Sequence, residues 1–218
     1  MKIKKILDWL DSTLNVQAFD DVSNNGLQIA RTGEEVKRVA LAGDASRRSV
    51  IAAGEAGAQL LVVHHGISWG GGIKRIVGSE FAVVQAAIDR NLALYAVHLP
   101  LDAHPKLGHN ALIAKALKLK HVRPAFCYHG NVIGCVGVAP DGQKVGVCSG
   151  GAGEFAVAAK ELGCSRFVTG EASWGEMVAA ENVGIKMECW GHYDSELFGI
   201  EALASAMKDE LGIETLTV

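Results

Sequence analysis

The 218-residue chain predicts an α/β fold of two related lobes whose strand ends converge on a central cleft, and three observations carry that prediction. Short apolar runs rich in β-branched residues alternate with segments of helical spacing, as in a parallel sheet with crossover helices. Two of these runs stop on histidine: Leu60-Leu61-Val62-Val63 leads into His64-His65-Gly66, and Leu92 to Val97 leads into His98. Open α/β sheets place their ligands at that edge. The third observation is an internal repeat. Arg38 to His65 aligns without a gap on Lys144 to Glu171 at an offset of 106, and Ser79 to His98 aligns on Ser173 to His192 at an offset of 94. His98-x-x-x-Asp102 thereby corresponds to His192-x-x-x-Glu196. Two units so related bring matching strand ends together across a pseudo-twofold axis. Chance similarity of two generic βαβ units is the competing explanation, and the matching His and acid positions disfavour it.

In chain order, Ile3, Ile6, Leu7, Leu10 and Leu14 make an amphipathic first helix over residues 2–14. Asp20 to Gln28 is polar and carries Gly26, a loop leading to a short strand. Val36 to Ala42 is a second strand and Ser46 to Ala56 a helix, and the strand ending at His64 completes a βαβ unit. Glycines 70 to 72 link to a helix from Ser79, its expected cap, to Asn91. After the strand Leu92 to Val97, Pro100 breaks the ladder and disfavours helix before it, which places His98 and Asp102 in a loop. A helix covers Asn110 to Leu119. Residues 121–143, with Pro124, Pro140 and several glycines around a short strand Val132 to Val138, mark the boundary between lobes of about 1–125 and 126–218 within one domain. Leu197, Ile200, Leu203, Ala204 and Met207 give a last helix. If it includes His192, then His192 and Glu196 lie one turn apart on one face; if it starts at Asp194 or Ser195, His192 approaches from the loop.

Hydrophobic residues make up 49% of the chain, enough for one large domain or two coupled lobes. The net charge of -3 is interspersed rather than blocked, which argues against a nucleic-acid groove or an anionic membrane surface as partner. No segment reaches the roughly 18 apolar residues of a spanning helix, and Met1 to Leu10 lacks the core and cleavage site of a signal peptide. The expected location is the cytoplasm. The five cysteines include no Cys-x-x-Cys, so neither a disulfide framework nor a thiolate zinc site is indicated.

At predicted strand ends and helix starts the chain offers His64, His65, Asp102, His192 and Glu196, with His98 beside them. Such donors suit zinc, manganese, iron, cobalt or nickel and do not choose among them. Five donors exceed the three of a mononuclear catalytic zinc, whereas a centre of two divalent ions with a bridging carboxylate uses all five. Glu196 reaches further than Asp102 and is the better bridge. Water held between two such ions has a lowered pKa and serves as a nucleophile near neutral pH. His64 and His65 leave a strand on opposite faces, so they share a site only if the chain leaves the strand there, which Gly66 permits, or if each serves a different centre. The plainer alternative is one core and one surface histidine. The repeat places Glu171 opposite His65, where it can act as an acid or base. Asp44 is a possible further ligand, although a helix cap or turn is its commoner role. Gly150-Gly151-Ala152-Gly153 lacks the lysine of a P-loop and reads as a tight turn. His104, His109, His121 and His129 read as surface or loop residues.

The chain resembles the Nif-three-like dinuclear-metal family, many members of which are called homologues of type 2 GTP cyclohydrolase I. The resemblance covers nearly the whole chain. It rests on Asn-x-Gly-Leu-Gln (Asn24 to Gln28), Val-His-His-Gly (Val63 to Gly66), His-x-Pro-Leu-Asp (His98 to Asp102), Gly-x-Asn-Ala (Gly108 to Ala111), Ser-Gly-Gly-Ala-Gly (Ser149 to Gly153), Thr-Gly-Glu (Thr169 to Glu171) and Gly-His-x-x-Ser-Glu (Gly191 to Glu196). It implies a toroidal homohexamer and a dinuclear site held by His64, His65, Asp102, His192 and Glu196, with Glu196 bridging and His98 in the pocket. It further implies a hydrolase opening the imidazole ring of a small-molecule guanine nucleotide. A non-catalytic metal-binding scaffold or regulatory protein is the alternative. The family commonly has a second histidine and a small residue where Tyr193 and Asp194 stand, and an aspartate at Ser23; these departures bear on pocket shape and substrate preference. Residues 121–143 are too short for the domain that some members insert.

Overall fold

The computed structural model describes residues 1–218. The fold is α/β, as predicted, with ten strands in two five-stranded sheets. The chain divides into one unit of Met1–Leu101 with Ile200–Val218 and another of Asp102–Gly199. Residues 120–138 form a hairpin that belongs wholly to the second sheet, and the end of the chain returns to the first.

In the first unit, α1 (Ile3–Thr13) and β1 (Gly26–Ile29) precede β2 (Arg38–Asp44), α2 (Arg47–Glu55), β3 (Leu60–His65), α3 (Gly78–Asp89) and β4 (Ala93–Ala96). The sheet order is β1-β4-β3-β2-β10, where β10 is Glu214–Thr217. Strands β10, β2, β3 and β4 are parallel, and β1 closes one edge antiparallel to β4. Every residue of β4 and the first five of β3 are buried, which is why these strands read as unbroken apolar runs. Their side chains pack with Val50 and Ala53 of α2 and with Val83, Ala86 and Ala87 of α3. The Tyr95 hydroxyl donates to Asp11 at 2.6 Å, tying α1 to the sheet; burial, and then the Asp11 carboxylate, push that phenol far above its ordinary pKa.

Ser46 caps α2 in a reciprocal box with Ser49. Ser79, by contrast, is not the cap of α3: the helix starts at Gly78 after Val77, and the Ser79 hydroxyl donates to Glu80 instead. The segment after His98 is not an open loop either. Leu99–Asp102 is a one-turn helix, α4, which accommodates Pro100 because the first helical turn needs no N–H from it.

In the second unit, α5 (His109–Ala116) leads into the hairpin of β5 (Lys120–Tyr128) and β6 (Asn131–Val138), then β7 (Lys144–Cys148), α6 (Ala156–Glu161), β8 (Arg166–Thr169), α7 (Trp174–Asn182) and β9 (Lys186–Cys189). The hairpin turns on His129 (φ +48°) and Gly130 (φ +77°), the two left-handed positions that a tight two-residue turn requires. The sheet order is β5-β6-β7-β8-β9, and β7, β8 and β9 are parallel. Here the repeat is visible in the ladders. Val39 pairs with Leu60 and Val145 with Arg166, the same register 106 residues on. The last helix, α8, runs from His192 to Leu211 and crosses the division at Gly199/Ile200.

Candidate metal centre

In the first unit three imidazoles gather at the carboxyl ends of β3 and β4. Ring centroids of His64 and His65 lie 4.6 Å apart, His64 and His98 5.0 Å, and His65 and His98 5.7 Å. One ring nitrogen from each falls within 4.8 Å of the others, so the three can hold one cation. His64 and His65 both lie inside the strand, yet their rings meet because His65 is its last residue. Gly66 is needed there for close approach rather than for a left-handed turn: a Cβ would stand 2.3 Å from Gln28 Oε1 and 2.6 Å from Ala96 Cβ.

Each ring is oriented through Nδ1. His64 Nδ1 lies 3.0 Å from the Val97 carbonyl, an acceptor only, so Nδ1 carries the proton and Nε2 the lone pair. His65 Nδ1 is 2.9 Å from Asp44 Oδ1, and His98 Nδ1 is 2.9 Å from Asp21 Oδ1. Parallel pairing sets Asp44 directly beside His65, a placement that the sequence leaves invisible until β2 and β3 are aligned. Asp21 also accepts the Leu99 amide and the Asn25 side chain. Burial opposes its ionisation, but the bonds from His98, Ser23 and Asn25 prevail and hold the carboxyl below its usual range.

The second unit presents Asp102, Glu171, His192 and Glu196. Because α8 already begins at His192, His192 and Glu196 share one helical face, and Nε2 stands 3.2 Å from Glu196 Oε1. His192 Nδ1 lies 3.0 Å from Glu171 Oε1. The hydrogen bond to Glu196, and after it that to Glu171, outweigh partial burial and raise the imidazole to a pKa of about 9. Two carboxylates thus favour a cation at this point, whether a proton or a metal ion. Asp102 is buried; its Oδ1 accepts from Ser149 Oγ at 3.2 Å, and Asn110 braces its backbone carbonyl while also receiving the Ser149 amide. His109 is fully buried, contrary to the surface reading, because its Nδ1 accepts the Gly199 amide at 3.0 Å, and one of its ring nitrogens lies within 4.8 Å of an Asp102 oxygen. His104 does sit in a turn, accepting the Lys106 and Leu107 amides.

The glycine run explains itself here. Gly150 has φ +67°, and a Cβ on it would lie 2.4 Å from Glu196 Oε1. Gly170 is tighter, since a Cβ would meet the Gly150 carbonyl at 2.6 Å, Ser195 Oγ at 2.6 Å and His192 Cα at 2.8 Å. Gly170→Ala is therefore expected to destabilise the second unit by about 1–3 kcal/mol through overpacking and to weaken metal uptake by displacing His192. A thermal melt superimposable on the parent's would show that this backbone yields freely.

No helix is long and apolar enough to cross a membrane. A model of the Duf34/NIF3 (NGG1p interacting factor 3) family matches residues 1–143 and 131–218. Among curated relatives, the GTP cyclohydrolase 1 type 2 homolog of Archaeoglobus fulgidus is 38% identical over 99% of this chain and 97% of its own. That of Deinococcus radiodurans is 37% identical over 96% and 89%. Among solved structures, a Thermus thermophilus protein is 28% identical with a TM-score of 0.87, covering 100% of this chain and 97% of its own. Protein ybgI, of unknown function, is 26% identical with a TM-score of 0.86, covering 100% and 98%. HcgD from Methanocaldococcus jannaschii, at 20% identity and a TM-score of 0.88 over 100% and 97%, shares the fold. With both halves of the chain matched by one family model and full-length relatives above 30% identity, the chain belongs to the Duf34/NIF3 family.

Proposed function

We propose that His64, His65, Asp102, His192 and Glu196 hold two divalent transition-metal ions, with Glu196 bridging, and that the protein is a metal-dependent hydrolase of a small-molecule nucleotide. The observation that carries this reading is the shared orientation of four imidazoles. His64, His65, His98 and His192 each set Nδ1 against an oxygen, three of these oxygens belonging to carboxylates. That arrangement directs Nε2 of each ring towards the ligating position, the usual support of a metal-bound histidine, and at His192 a metal ion would take the place of the proton that Glu196 and Glu171 favour. The donor set fits zinc, manganese, iron, cobalt or nickel. Bound there, the ions would supply Lewis-acid activation of water and of the scissile bond. Glu171, proposed from sequence as an acid or base, aligns His192 in this arrangement, and His98 stands beside the ligands to receive or deliver a proton.

A guanine nucleotide as substrate draws support from the names of the relatives. A second reading, a metal-holding homohexameric scaffold, is favoured by Ile76, Val77, Phe81 and Ile88, all at least half exposed on and just before α3, an apolar face that assembly would cover. To separate the readings, the metal-loaded protein is incubated with GTP and other nucleotides, and the purine chromophore and products are followed by chromatography. Turnover that disappears in His64→Ala supports the hydrolase; full metal content with no turnover of any nucleotide favours the scaffold. Metal binding itself is expected to raise the Tm of stripped protein. At a free metal concentration about 100 times Kd the gain is about 2.7 kcal/mol for each ion held, or on the order of 5–10 °C per ion for a chain of this size. The same addition should leave the Tm of His64→Ala nearly unmoved.

A further inference from the structure

We propose that Trp69 is a stacking platform for a planar, uncharged heteroaromatic ring of the substrate, a role that rests on the metal reading above. Its indole lies 5.2 Å from the His98 ring, edge to face, and 6.0 Å from the His65 ring. It remains 38% exposed, so the residue is open to solvent beside the candidate ligands. The segment that carries it is fixed at every step. Gln28 Oε1 accepts the amides of Ile67 and Ser68, at 2.7 and 3.2 Å. Asn24 bonds Ser68 through its amide at 3.0 Å and its side chain at 2.8 Å, and the Gly70 amide donates to Val22 at 2.7 Å. The indole N–H is itself committed to the Gly66 carbonyl at 2.9 Å. What the ring offers a ligand is therefore its face and not a hydrogen bond.

The surroundings select the ligand. An aromatic face attracts cations in general, but beside divalent ions a cationic ligand is repelled. An anionic group is drawn to the metals and repelled by the negative face of the indole. A neutral planar ring gains from stacking and suffers neither cost. A compound with a heteroaromatic ring and a separate anionic group divides naturally, ring on Trp69 and anion towards the metals.

The test uses the full-length, metal-loaded protein with Trp69→Phe and Trp69→Leu, and reads indole fluorescence together with calorimetric Kd. The probes are guanosine, adenosine, uridine and a neutral pterin, with inorganic triphosphate as the ring-free control. At least one ring compound should quench the parent's fluorescence. Trp69→Leu should then weaken that compound by about 5- to 150-fold, the range for loss of one stacked base, and Trp69→Phe by less. Triphosphate binding and metal content should hold. No response to any ring compound in the parent, an unchanged Kd in Trp69→Leu, or an equal loss of triphosphate affinity overturns the proposal. A protein that takes up no metal yet loses ring binding with Trp69 would sink the metal reading and leave the platform standing.

Discussion

Glu196→Ala is expected to abolish most of the metal binding of the proposed centre, from the two ions per chain of that reading to well under one. The carboxylate is buried and lies 3.2 Å from His192 Nε2, in contact with the atom that would ligate. Its removal deletes the proposed bridge and leaves two cations facing one another without the negative charge that screens them. Glu196→Gln keeps the shape and removes the charge, so it should lose metal nearly as completely while keeping the fold. Elemental analysis of protein purified without added metal, normalised per chain, gives the answer directly. Undiminished stoichiometry in either variant would exclude Glu196 as a ligand.

Phe167→Ala should cost about 3–5 kcal/mol and lower the melting temperature of the protein by on the order of 10 °C. Phe167 is fully buried on β8 and meets Phe126 edge to face, with centroids 5.4 Å apart. Gly146 runs beneath it so closely that a Cβ there would stand 3.0 Å from the ring, which leaves the cavity no easy way to collapse. Phe167→Leu retains most of the volume and should cost under about 1.5 kcal/mol. Circular dichroism melts of both variants check the pair; equal, small losses would mean that the surrounding side chains refill the space.

The parts of this molecule that were legible in the sequence are those whose signal is local. β3 and β4 are buried on both faces, and so they appear as apolar runs ending on His64 and His98. The repeat survives because β2-α2-β3 and β7-α6-β8 keep one register. Parts whose reason lies elsewhere in the fold were not legible. β5 carries Pro124 and an irregular register near His121, tolerable only because it is an edge strand. β10 is four residues long and acquires its identity from β2. At the candidate site the donors stood out as residue types, but the groups that orient them did not. Asp21 looked like one residue of a polar loop, and Asp44 looked like a cap until strand pairing set it against His65. His109 gave no hint of burial, since its partner is a backbone amide 90 residues away.

The return of the chain to its first sheet has a consequence for biosynthesis. β10 pairs with β2, its edge neighbour, across more than 170 positions of sequence, and all of Asp102–Gly199 lies between. The ribosome therefore delivers the second unit as one uninterrupted stretch, able to fold as it emerges, whereas the first unit must wait with an open strand edge until the last residues appear. During that wait β2, made of Arg-Val-Ala-Leu-Ala-Gly-Asp, is an adhesive edge. Crowded expression or a stop codon before Glu214 should send the nascent protein towards aggregation through its oldest half, not its newest.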